Sequence, residues 1–148
     1  VTEPSPPRVP YWHVWTDSQG ISRQHRIEMT EFDLQSIKAP ASPQWLGAKA
    51  SGATAFVSVL PVGWIGDWHE NPKPQWIIPL SGRWFVQTMD GDRVEMGPGE
   101  ISLGEDQGTR LVNGHQGHLS GTVGNKPAVL MVVQLEKPWG GSGREGAG

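Results

Sequence analysis

Five histidines and fifteen carboxylates are this chain's candidates for proton transfer or metal binding. One histidine stands in a spaced pattern: Gly63, five residues, His69, one residue, Asn71, three residues, Gln75, six residues, Gly82. Imidazole titrates near neutrality, so His69 suits a general acid or base, with Asp67 or Glu105 as the carboxylate that orients it and offsets its charge. Asp67 and His69 share one face of an extended strand. Glu105 and Asp106 are adjacent, so in a strand only one of them enters a cavity on a given side. His115 and His118 are three residues apart, and either could be the inward one. Asn71, His115, Trp64 and Trp84 are the expected pocket walls, the two tryptophans as a stacking surface for a ring. His13 and His25 have no partner at a useful spacing and read as structural or exposed. No other nucleophile is on offer. The chain has no cysteine, no Gly-x-Ser-x-Gly elbow and no glycine-rich phosphate loop, and Gly97-Pro98-Gly99 reads as a turn.

The elements that must position these residues are strands. Twenty glycines and thirteen prolines interrupt the 148 residues, separating short runs of β-branched and aromatic residues. Such runs lie at 55–60, 76–80, 83–88, 100–103 and 128–135, with two more at 11–16 and 23–30 joined around Gln19-Gly20. Residues 31–37 suggest a short helical turn. Asp90-Gly91 signals a tight hairpin, and Ser81-Gly82 suggests another. Strands of this number and length imply an all-β closed sandwich or barrel. One domain is expected over 11–137, with a flexible proline-rich segment at 1–10 and a flexible glycine-rich tail at 138–148.

Composition narrows the partners. Twelve basic against fifteen acidic side chains leave a net charge of −3, and no basic stretch could follow a phosphate backbone, so nucleic acid is not an expected partner. The longest apolar runs, such as 128–133, are too short to span a bilayer. Residues 1–10 lack the apolar core of a secretory signal, and a soluble cytoplasmic protein is the expectation.

The spacing from Gly63 to Gly82 resembles the first sequence box of the cupin superfamily, with Asn71 in place of its second histidine and Gln75 in place of its glutamate. Gly97-Pro98-Gly99-Glu100, then Glu105-Asp106 and Gly117-His118, is similar to the second box of a group of bacterial cupins, with residues 109–115 inserted. The resemblance covers about half the chain, from Gly63 to Leu135. It implies a double-stranded β-helix, or jelly-roll, whose mouth gathers His69, Gln75 and His118 as ligands of a divalent metal (Zn, Fe, Mn or Ni). It also implies a homodimer, with the N-terminal strand carrying Trp12 and Trp15 exchanged between subunits or folded back on its own barrel. Two functions follow as expectations. One is an enzyme acting on a small molecule through a metal or through histidine acid/base chemistry, as an isomerase, lyase or dioxygenase. The other is a non-catalytic module that binds a sugar or an aromatic ligand and has lost its metal.

Overall fold

The structure, a computed structural model, describes residues 5–140, so the expectations for 1–4 and 141–148 fall outside the described residues. It is all-β. Eleven strands follow one another: β1 Val9–Thr16, β2 Ser22–Met29, β3 Asp33–Gln35, β4 Gln44–Leu46, β5 Thr54–Leu60, β6 Gln75–Ser81, β7 Arg83–Thr88, β8 Arg93–Met96, β9 Ser102–Glu105, β10 His118–Val123 and β11 Ala128–Gln134. No helix among the described residues is long and apolar enough to cross a membrane. The helical turn expected at 31–37 is instead strand β3, paired with β4 as a separate two-stranded ribbon.

Six strands form the main sheet in the order β2-β1-β9-β6-β11-β5, and a second sheet has the order β10-β7-β8. Asp90-Gly91 makes the expected hairpin between β7 and β8, with Gly91 at φ 96°, which a residue bearing a Cβ rarely adopts. Ser81-Gly82 does different work. It joins β6 to β7, which lie in different sheets, so it carries the chain across the molecule and forms no hairpin. Residues 61–71 run beside the free edge of β10. Glycines and prolines keep this segment from becoming a regular strand, and it pairs through isolated bridges, Ile65 with Gly121 and His69 with His118.

The inner faces of the two sheets meet in one apolar core. Val14, Leu60, Ile77, Ala128 and Leu130 from the main sheet pack against Trp84, Val86 and Met96 from the small one. This is the two-layer arrangement of a barrel or jelly-roll type of fold. β6 is buried on both faces because the main sheet has a second cover. On its outer side Tyr11, Trp76, Leu103, Leu135 and Trp139 form another cluster, with Trp76 edge-on to both Tyr11 and Trp139 at 5.0 and 5.2 Å between ring centroids.

Among the described residues, 9–10 and 138–140 differ from the flexible segments expected there. Val9 and Pro10 belong to β1, and β1 pairs with β2 and β9 of its own chain, leaving Trp12 and Trp15 half-buried. At the other end, residues 138–140 do not begin a loose tail, because Trp139 is buried and its backbone N–H donates to Glu105 Oε2 at 2.9 Å. Replacing Trp139 by alanine should cost about 3 kcal/mol, the range for emptying a buried aromatic site. Urea unfolding of the variant checks this, and an unchanged midpoint would show that the C-terminal segment contributes nothing to the fold.

Candidate functional site

A cavity of about 250 Å³ opens between the inner faces of the two sheets at one end of the core. His69, Asn71, Gln75, His118 and Gln134 line its polar end, and Trp64 and Trp84 are among its apolar walls. β10 starts at His118, and the segment bearing His69 pairs back on it, with His69 N–H donating to His118 O at 3.0 Å and His118 N–H to His69 O at 2.9 Å. The two imidazoles are thereby held with their centroids 4.8 Å apart. Gly117 makes this approach possible, since a Cβ there would overlap the carbonyl of His69.

Behind the histidines lies Asp106, wholly buried. Its Oδ2 accepts from His118 Nδ1 at 2.7 Å, and its Oδ1 accepts from the backbone N–H and the side-chain Nδ2 of Asn71 at 2.9 and 2.7 Å. The network extends by amides. Gln75 Nε2 donates to Asn71 Oδ1 at 2.6 Å, and Gln134 Nε2 donates to Gln75 Oε1 at 3.1 Å. Each of these amide hydrogen bonds is donated in the direction of the carboxylate. Burial by itself raises the Asp106 carboxyl, but the charge of His118, the hydrogen bond from it and the two from Asn71 outweigh that and hold it below its ordinary 3.8. Asp106 is thus an acceptor at neutral pH, and His118 Nδ1 must carry the proton. His69 Nδ1 donates to the backbone oxygen of Asp67 at 2.6 Å. Both rings are fixed in the same tautomer, which leaves Nε2 of each for the cavity.

The expected site residues divide accordingly. His69, Asn71, Gln75, His118, Trp64 and Trp84 come together around the cavity. Asp67 contributes its backbone oxygen, while its side chain is exposed. Glu105 lies on the wrong face for a catalytic role: its Oε1 meets His13 Nε2 at 2.8 Å, and its Oε2 holds Trp139, on the outer side of the main sheet. The partner of the histidine is the neighbouring Asp106. His115 is also outside the cavity, stacked on Trp68 at 4.2 Å with 14° between the ring planes, so His118 is the inward member of the pair. Gln134 went unread in the sequence, and Asp106 was placed only as the alternative to Glu105. For Asp106 a signal existed, because Ser102, Gly104 and Asp106 form the small and polar phase of a strand whose other phase is Ile101, Leu103 and Glu105.

The donor set does not fit the divalent metal that the cupin resemblance implies. His69 and His118 offer two neutral imidazole nitrogens, Gln75 has both amide atoms engaged, and both oxygens of Asp106 are taken. Among the described residues no group of three or more His, Asp or Glu is disposed to hold a metal ion. Two neutral ligands with no anionic one fall short of the three protein ligands that catalytic zinc uses. Comparison with known proteins finds no family model that matches this chain and no curated protein that matches it.

Two outcomes test the network. Asp106→Asn places an N–H₂ group among donors, and should lower stability at neutral pH by about 2 kcal/mol. A carboxyl depressed by folding stabilises fully above its unfolded value of about 3.9 and loses that contribution as pH falls through the folded value. The stabilities of wild type and variant should therefore converge below pH 3.8, as read by urea unfolding across the acid range. Gly104→Ala tests the fit from the other side. A Cβ there would overlap the Asn71 amide, so the variant should lose about 2 kcal/mol while Gly91→Ala, whose Cβ meets nothing, loses only its turn preference.

Proposed function

We propose that this protein is an enzyme of proton transfer at the carbon next to a carbonyl, acting on a small uncharged molecule without a metal. The observation that carries this reading is the buried Asp106–His118 pair facing, across 4.8 Å between ring centroids, a second histidine whose Nδ1 is likewise engaged, at the rim of an apolar-walled cavity.

The two histidines take different roles because their surroundings differ. His118 is buried, and in its protonated form its charge is compensated by Asp106. Its Nε2–H then donates to the substrate's carbonyl oxygen and stabilises the negative charge that develops there. His69 is exposed and has only a backbone oxygen behind it, so it serves as the neutral base. Its Nε2 takes a proton from the carbon adjacent to the carbonyl. The C–H electron pair becomes the C=C bond of an enol, and His118 gives its proton to the oxygen. Return of a proton to carbon from His69, with the enol O–H proton going back to His118 Nε2 as the C=O bond re-forms, completes an isomerisation or an exchange, with no oxidant or co-reactant required. His69 at the rim can trade its proton with water between turnovers, whereas His118 keeps the carbonyl in a drier place.

A metal-dependent version of the same reading would need a third ligand beyond His69 and His118. The non-catalytic alternative is favoured by one observation: Asn71 and Gln75 use their amide groups on each other and on Asp106 and Gln134, so they hold the wall and leave only the histidines for a ligand.

Proton NMR in D₂O, with chelator present, tests the proposal on simple enolisable ketones such as acetophenone and cyclohexanone. The protein should accelerate exchange of the hydrogens next to the carbonyl, His69→Gln should lower that rate about 100-fold with binding retained, and His118→Gln should lower it similarly. Binding of ketones without any accelerated exchange would leave the module reading standing in its place.

A further inference from the structure

Strand register sorts the cavity wall into layers. Gln75 pairs with Gln134 at the level of the His118–Asp106 network, and two residues along each strand Ile77 pairs with Val132, which pairs with Phe56. Two residues further, Leu130 pairs with Ser58, and on the other sheet Thr122 pairs with Trp84. Each such step advances about 7 Å along the strands. Polar groups are thus concentrated in one layer at one end, and the remaining depth is apolar except for the hydroxyls of Ser58 and Ser120 and one buried indole N–H, Trp84 Nε1, that has no partner.

This layering distinguishes among ligands of suitable size. An apolar protein cavity of roughly 150 Å³ accepts a benzene molecule, so 250 Å³ takes one ring with a short polar substituent and no nucleotide. A sugar carries a hydroxyl on nearly every carbon, and each one buried without a partner is costly. Two serine hydroxyls and one indole N–H are too few to pair them all. Among the described residues no lysine or arginine lines the cavity, so a phosphate or carboxylate at the far end would meet no counter-charge from them. What remains is a molecule with a single polar end and a flat or bulky apolar body. Trp64, half-buried on the segment 61–71, together with Trp84 and Phe56, adds aromatic faces that favour a ring of the same kind.

We infer that the cavity takes a single aromatic ring bearing a ketone whose neighbouring carbon carries hydrogen, with the ketone oxygen at the His69 and His118 end and the ring among Trp64, Ile77 and Val132. The inference deepens the proposed function and rests on its assignment of this cavity as the ligand site.

The experiment uses the full chain and three probes, acetophenone, cyclohexyl methyl ketone and glucose, with tryptophan fluorescence and calorimetry as readouts. Acetophenone should saturate the protein with a dissociation constant of about 1 mM or below. It should bind about fivefold more tightly than the saturated ketone of the same shape, the scale of an aromatic contact beyond area alone. Glucose should not bind. In Trp64→Leu the two ketones should become equal within about twofold, through loss of acetophenone affinity. Equal affinities in the wild-type protein, saturable binding of glucose, or no acetophenone binding at about 20 mM would each overturn the inference, and none of these depends on the variant folding. An unchanged preference in a folded Trp64→Leu would overturn the placement of the ring. The two proposals fail separately: acetophenone bound without exchange of its methyl hydrogens removes the catalysis and keeps the ligand class, and exchange on cyclohexanone with no aromatic preference does the reverse.

Discussion

The buried carboxylate of Asp106 is the constraint around which the open end of this fold is arranged. An anion removed from water is tolerated only when its oxygens are met by donors, and here three N–H groups meet them, from Asn71 backbone, Asn71 side chain and His118. Those donors come from separate parts of the chain. Asp106 follows the end of β9 in the main sheet, His118 begins β10 in the small sheet, and Asn71 ends the segment that runs beside β10. One charged group therefore ties the two layers together at the place where their apolar contact gives way to a cavity. Its satisfaction also sets the tautomer of His118, so the same bonds that hold the wall determine which imidazole nitrogen faces a ligand.

The residue before it does the complementary task on the opposite face. Glu105 and Asp106 are neighbours in sequence and point to different sides of the main sheet, Glu105 toward His13 and the backbone of Trp139. His13 is wholly buried, and this pair gives a polar anchor within an otherwise apolar outer cluster. The C-terminal residues are consequently fastened where β6 needs a second cover. The main sheet can be buried on both faces at its centre because this cover exists, which explains why Trp76 and Ile77, adjacent on β6, are both buried.

Strands at 83–88 and 128–134 were legible because glycine, proline and hydrophobic run coincide there, and the all-β architecture follows from many such segments. Strand β3 was not, since Asp33, Leu34 and Gln35 make a run of only three residues with no β-branched side chain and pair only locally with β4. Of the site, His69, Asn71 and Gln75 were readable from spacing. Asp106 was obscured by the more exposed-looking phase of its own strand, and choosing between it and Glu105 required knowing which face of β9 lines the cavity. His118 could be separated from His115 only by tertiary contact, because Trp68, which takes His115 as a stacking partner, is far away in sequence. Trp139 lay in a glycine-rich end whose composition suggests a loose chain, and its burial depends on Glu105 and Trp76, which sequence pattern does not connect to it.

The amides of Asn71 and Gln75 at this end of the cavity have a coherent electrostatic consequence. The amide groups form a chain of dipoles aligned toward Asp106, from Gln134 through Gln75 and Asn71. Such a chain compensates one buried anion and adds no net charge to the cavity. With His118 protonated, the pair it makes with Asp106 is neutral as well. A cation entering the cavity would meet no free carboxylate, and an anion would meet one imidazolium already matched by its own carboxylate. A neutral molecule would escape both penalties, with a hydrogen bond between one oxygen and the histidine pair as the polar interaction open to it. The arrangement thus favours an uncharged ligand for the same reason that it disfavours a resident metal: the strongest acceptor at the site has been fully used to build the wall.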